Sequence, residues 1–173
     1  LSDSPYIGKR FEDQRGIFMV NLYRQPDGSL RKEYGFVSIK DDEIYDLKLE
    51  GTGLQDIEQY HNLPINIWAT ITSVDQFGTM TANLERFVIP YPDLRIQTYQ
   101  GQQKVTQING KSGVLFTTTD GKTYLQAILD GDPFNDDSLI GREGDQVLLE
   151  GFNIPDEFNS GYPVLRIFGG SLA

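Results

Sequence analysis

Between Ile65 and Ile71 every second residue is apolar: Ile65, Ile67, Ala69 and Ile71 alternate with Asn66, Trp68 and Thr70. A period of two marks a strand with one buried face and is incompatible with an amphipathic helix over the same stretch. Short apolar or alternating runs, cut by turn residues, recur along the whole chain. Gly16–Arg24, Tyr34–Ile39, Ile44–Leu49 and Thr79–Ile89 read as further strands of the first half. In the second half Lys104–Ile108, Gly113–Thr118, Tyr124–Leu129, Gln146–Phe152 and Pro163–Phe168 read the same way. The breaks have a mechanism. Pro26 presets its φ and Gly28 accepts positive φ in the Gln25–Gly28 turn, while Asn109–Gly110 is a strong hairpin signal. In the first half, helical spacing is confined to Gly51–Asn62, where Leu54, Ile57 and His61 recur at three and four and Pro64 stops the run. Asp137–Ile140 leaves room for one more helical turn. The expected class is all-β.

The two halves also lie over one another. Gly35–Phe36–Val37 matches Gly113–Val114–Leu115, Leu49–Glu50–Gly51 matches Leu129–Asp130–Gly131, and Ile65 and Ile67 match Val147 and Leu149. Leu84–Phe87 matches Leu165–Phe168 with a small shift. Each half reads β-β-β-(short helix or loop)-β-β. That order, with the Gly144–Asp145 turn leading into Val147, Leu149 and Gly151, resembles the OB-fold, a five-stranded Greek-key barrel. The resemblance implies two tandem OB-like barrels with short helices, assigned to residues 1–100 and 101–173. The first half departs from it, with Leu63–Pro64 in place of the Gly-Asp turn and Ala69 in place of Gly151. A single β-sandwich shares the alternation and turn spacing and is the structural alternative. The break at Pro90–Asp93 suits a bend or a unit boundary.

Composition narrows the function. Hydrophobic residues make up 38% of the 173-residue chain and aromatics 12%, enough for a core. The net charge is −10, and residues 1–100 carry 10 Lys+Arg against 15 Asp+Glu, residues 101–173 5 against 10. Neither half is basic, so nucleic acid is not the expected partner, apart from a local cluster at Lys9, Arg10 and Arg15. With no cysteine, thiol catalysis and thiolate-ligated metal are excluded. No apolar run is long enough to span a membrane as a helix. A chain that begins at Leu1 fits an exported protein without its signal or anchor.

No nucleophile elbow, P-loop or dinucleotide fingerprint is present. His61, the only histidine, has no catalytic partner near it in sequence and reads as structural. An enzyme and a cofactor are not expected. Asp130, Asp132 and Asp136, beside Asn135 and Asp137, form a weak calcium candidate, but Phe134 stands where an EF-hand ligand belongs. The OB resemblance implies a ligand face on the second and third strands of each unit, flanked by the loops after strands one and four. That face would present Tyr34, Phe36, Tyr45 and Lys48 in the first unit and Phe116, Tyr124 and Gln126 in the second, with Phe158 and Tyr162 on the last loop. The expected function is a non-catalytic binding or adaptor module for a protein, peptide or oligosaccharide. Single-stranded nucleic-acid binding and a self-assembling structural repeat are the alternatives.

Overall fold

A computed structural model describes residues 4–129, 133–134 and 138–173. The chain divides into two compact units, Leu1–Pro92 and Asp93–Ala173. The division expected after residue 100 falls inside a strand, Gln97–Ile108.

The first unit contains β1 (Arg10–Arg24), β2 (Leu30–Lys40), β3 (Glu43–Glu50), a 3-10 helix (Leu54–Tyr60), β4 (Pro64–Val74) and β5 (Met80–Val88). The strands close into a barrel in the order β1-β2-β3-β5-β4. All neighbours are antiparallel except β3 and β5. Closure depends on β1, which pairs with β4 through Arg10–Ile17 and with β2 through Ile17–Arg24. A bulge between Phe11 and Gln14, with Asp13 at φ 47°, gives β1 the bend this double duty needs. At the crossover sits Gly16, where an added Cβ would run into the Phe36 ring and the Val37 carbonyl. The inward side chains of all five strands meet in one core that includes Phe11, Phe18, Phe36, Tyr45, Leu47, Ile65 and Ile67. Leu54 and Ile57 of the 3-10 helix join that core, which is what the helical spacing encoded. His61 follows the helix. Its Nδ1 accepts the Val20 N–H at 2.8 Å, at a point where β4 no longer pairs with β1. The histidine therefore completes a strand edge.

The second unit contains β6 (Gln97–Ile108), β7 (Lys111–Thr118), β8 (Thr123–Ile128), β9 (Gln146–Ile154) and β10 (Val164–Leu172). It closes in the corresponding order, β6-β7-β8-β10-β9, again with one parallel pair, β8 and β10. Both units are thus OB-like Greek-key barrels, and no single sandwich is formed. Gly101 repeats the role of Gly16: a Cβ there would meet the Thr117 carbonyl and the Phe116 ring. Gly151 is closer still to its neighbour, with the Arg166 carbonyl where a Cβ would lie. Beside it the β9–β10 ladder shifts register between Ile167 and Gly169, and the β4–β5 ladder shifts between Trp68 and Ala69.

Registers also correct part of the residue matching. Gly16 lies opposite Ile65 and Gly101 opposite Val147, so Ile65 and Ile67 do take the places of Val147 and Leu149. Phe36 faces Phe18 and Leu47, while Phe116 faces Gln103 and Tyr124. Phe36 therefore corresponds to Phe116, two residues from the match made on Gly35 and Gly113. By the same register Gln103 stands where Phe18 does, and Gln126 where Leu49 does.

Those two glutamines hold Ser138 and Ile140 to the second barrel. Both are buried. Gln103 Nε2 donates to Gln126 Oε1 at 2.8 Å and to the Ser138 carbonyl at 3.2 Å, and Gln126 Nε2 donates to the same carbonyl at 2.7 Å. The Ile140 N–H completes the set by donating to Gln103 Oε1 at 2.9 Å. This floor network is a satisfied amide network, which offsets the desolvation of its polar atoms.

Candidate nucleic-acid interface

Of the residues expected on the ligand face, Phe36, Tyr45 and Phe116 lie in the barrel cores. The Tyr45 ring is edge-on to Phe11 at 5.2 Å and to Tyr6 at 6.1 Å. Enclosed rings of this kind present no face to a ligand. Gln126 belongs to the floor network described above. Tyr34 is half-buried, stacked on Phe18 with ring centres 6.0 Å apart, and its hydroxyl donates to Glu58 Oε1 at 2.6 Å. That bond holds the Tyr34 hydroxyl protonated up to about pH 12. Glu58 in turn is held below the usual carboxylate range, first by the Lys32 ammonium at 2.8 Å and then by Tyr34. Lys48 sits 3.5 Å from Glu33. Lys9, Arg10 and Arg15 do not form a free basic patch. Lys9 lies over the Tyr45 ring, Arg10 pairs with Glu12 and Glu85, and Arg15 lies over the Tyr91 ring.

Phe158 and Tyr162 sit on the loop between β9 and β10. One carboxylate shapes that loop: Asp156 accepts the backbone N–H groups of Phe158, Ser160 and Gly161 at 2.8–3.2 Å and the Ser160 hydroxyl at 3.0 Å. These donors, the Ser160 amide foremost, hold the Asp156 carboxyl below its ordinary value. The loop turns Phe158 edge-on to Phe134 at 5.9 Å, and the Arg166 guanidinium covers the Phe158 ring at 5.5 Å. Asn109, on the β6–β7 turn, donates to the Asn159 carbonyl at 2.9 Å, so the two loops that flank the fold's usual ligand face are tied together here. The calcium candidate Asp130, Asp132 and Asp136 lies outside the described residues.

Sequence reasoning missed the arm of the first barrel. Beyond Val20 and before Tyr34, β1 and β2 pair only with one another, from Asn21–Glu33 to Arg24–Leu30. The hairpin turn is fastened by Asp27, whose carboxylate accepts the Ser29 amide at 2.9 Å and the Ser29 hydroxyl at 2.5 Å. Along this two-stranded arm Leu22, Tyr23 and Leu30 are 59%, 44% and 60% exposed. Three cations, Arg24, Arg31 and Lys32, share it with two acids, Asp27 and Glu33. The Arg31 guanidinium stacks on Tyr23 at 5.3 Å. The available signal was the alternation of Leu22, Arg24, Leu30 and Lys32, which continues the strand period past the last core residue.

No protein-family model and no curated protein sequence matches the chain. Among solved structures it is similar to the tetrameric p202 HIN2, with 10% identity, a TM-score of 0.29, and coverage of 97% of this chain and 95% of that one. It is also similar to the Ifi202 HINa domain in complex with 20bp dsDNA, with 13% identity, a TM-score of 0.26, and coverage of 96% and 98%. The expectation against nucleic acid, made on net charge, does not stand: one of these similar structures holds dsDNA, and the charge summed over a whole chain does not decide what a local surface meets. The physical reason is local: a sum of −10 over the chain says nothing about the arm, where cations outnumber acids.

Proposed function

We propose that this chain is a non-catalytic module that binds nucleic acid, and that the arm of the first barrel makes a principal contact. The observation that carries the reading is the arm itself, Asn21–Glu33, in which β1 and β2 pair only with one another and which bears Arg24, Arg31 (paired with Glu33) and Lys32 (paired with Glu58) beside exposed Tyr23. Guanidinium and ammonium groups meet phosphates, and a tyrosine backed by arginine offers a stacking face. The test is a fluorescence-anisotropy titration with labelled oligodeoxythymidine and with its duplex, over a range of salt. Binding that weakens steeply with salt supports the reading. Replacing Arg24, Arg31 and Lys32 together with alanine should flatten the salt slope by about one per lost phosphate contact. Failure of the wild-type chain to bind either probe at low salt would reject it.

A further inference from the structure

The second barrel has a pocket at the hairpin end of its second and third strands, β7 and β8. It opens at the start of β6 and is walled by the β7–β8 hairpin and the end of β9, with a volume of about 460 Å³. That size falls within the range of small-molecule sites, which runs from roughly 300 to 1,000 Å³, but the pocket is open and its lining is mainly polar. Tyr99 and Tyr124 bring aromatic rings to it, with centroids 6.0 Å apart and planes at 66°. Tyr124 is anchored in the core, whereas Tyr99 is half-buried. Neutral hydrogen-bonding side chains come from Gln97 and Asn153, and cations from Arg95 and Lys122. Two carboxylates, Asp93 and Asp120, balance those cations. Asp120 is itself engaged by the Thr118 hydroxyl. A rim whose charges cancel gives little hold on a bare anion. It suits a neutral planar group that stacks on a ring and uses amide donors and acceptors at its edge.

We infer that this pocket receives one unstacked nucleobase, so that the chain selects single-stranded over duplex nucleic acid. The inference rests on the nucleic-acid reading above. A base in a duplex is stacked and paired, and reaches a pocket only by leaving the helix, whereas a single strand has its bases free.

The test compares labelled oligodeoxythymidine and its duplex with oligodeoxyadenosine on the full chain and on three variants. Tyr99→Leu removes the stacking face, Asn153→Ala removes an edge contact, and Tyr99→Phe keeps the ring. Wild type should bind the single strand about 10-fold or more tightly than the duplex, in line with the stacking of one base. Tyr99→Leu should lose most of that preference, Asn153→Ala part of it, and Tyr99→Phe little, with duplex affinity unchanged in all three. A thermal midpoint for each variant separates a lost contact from a lost fold, and Tyr99→Phe with Asn153→Ala keeps the question answerable if Tyr99→Leu unfolds. Equal affinity for the two probes, or a preference that survives both Tyr99→Leu and Asn153→Ala, overturns the inference alone. No binding of either probe by wild type overturns it together with the reading on which it rests.

Discussion

Gln103 and Gln126 are buried amides that share one carbonyl, and each depends on the other. Replacing either with leucine strands a partner and should cost about 1–3 kcal/mol in urea denaturation. The double replacement should cost less than the sum, because the mutual bond is counted twice in the singles. The Ile140 amide, though in a loop, should exchange slowly with solvent deuterium because it donates to buried Gln103. Tyr34 gives a pH signature. Its folded pKa, about 12, lies above the unfolded value of 10.0. The stability it contributes is therefore full below pH 10 and lost as pH rises towards 12. The difference in thermal midpoint between wild type and Tyr34→Phe should shrink across that window. Glu58 acts at the other end: its carboxyl is depressed, so its contribution is present above the ordinary carboxylate range and fades as pH falls through the folded value.

Strands whose inner face is plainly apolar were legible in the sequence. Ile65–Ile71 and Gln146–Phe152 fell in matching registers because their inward residues alternate without interruption. The first parts of β1 and β6 were not legible. β6 begins with Gln97–Thr98–Tyr99–Gln100–Gly101–Gln102–Gln103, and its inward positions are a tyrosine, a glycine and a glutamine. A glycine chosen for close approach and a glutamine satisfied by a distant loop carry no hydrophobic signal. β1 begins with a bulge over polar residues that breaks the period. The matches on Gly35 and Gly113 and on Leu49 and Leu129 slipped for a related reason. Phe36 faces Leu47 across β2–β3 whereas Phe116 faces the nearer Tyr124 across β7–β8, so equal spacing in sequence is unequal spacing in register. Aromatic content misled the site reading in the same way, since Phe36, Tyr45 and Phe116 serve the cores. At this scale Gly151 gives the sharpest test. Gly151→Ala drives a methyl into the Arg166 carbonyl and should destabilise the second barrel by about 1–3 kcal/mol or more, measured by denaturant titration. Ala69, at the matching place in β4, already carries that methyl, so Ala69→Gly should cost far less than Gly151→Ala.

Over the whole molecule each barrel has its own core, and every strand pair lies within one unit. A barrel is sealed only when its first strand meets its fourth: Arg10 pairs with Thr70, and Gln97 with Gly151. Contacts this far apart in sequence are expensive in chain entropy until the last of them forms. Refolding should therefore take milliseconds to seconds and not microseconds, as for other barrels dominated by non-local pairing. The same geometry orders events during synthesis. The first ring has all its partners once β5 has emerged, well before β9 exists to complete the second.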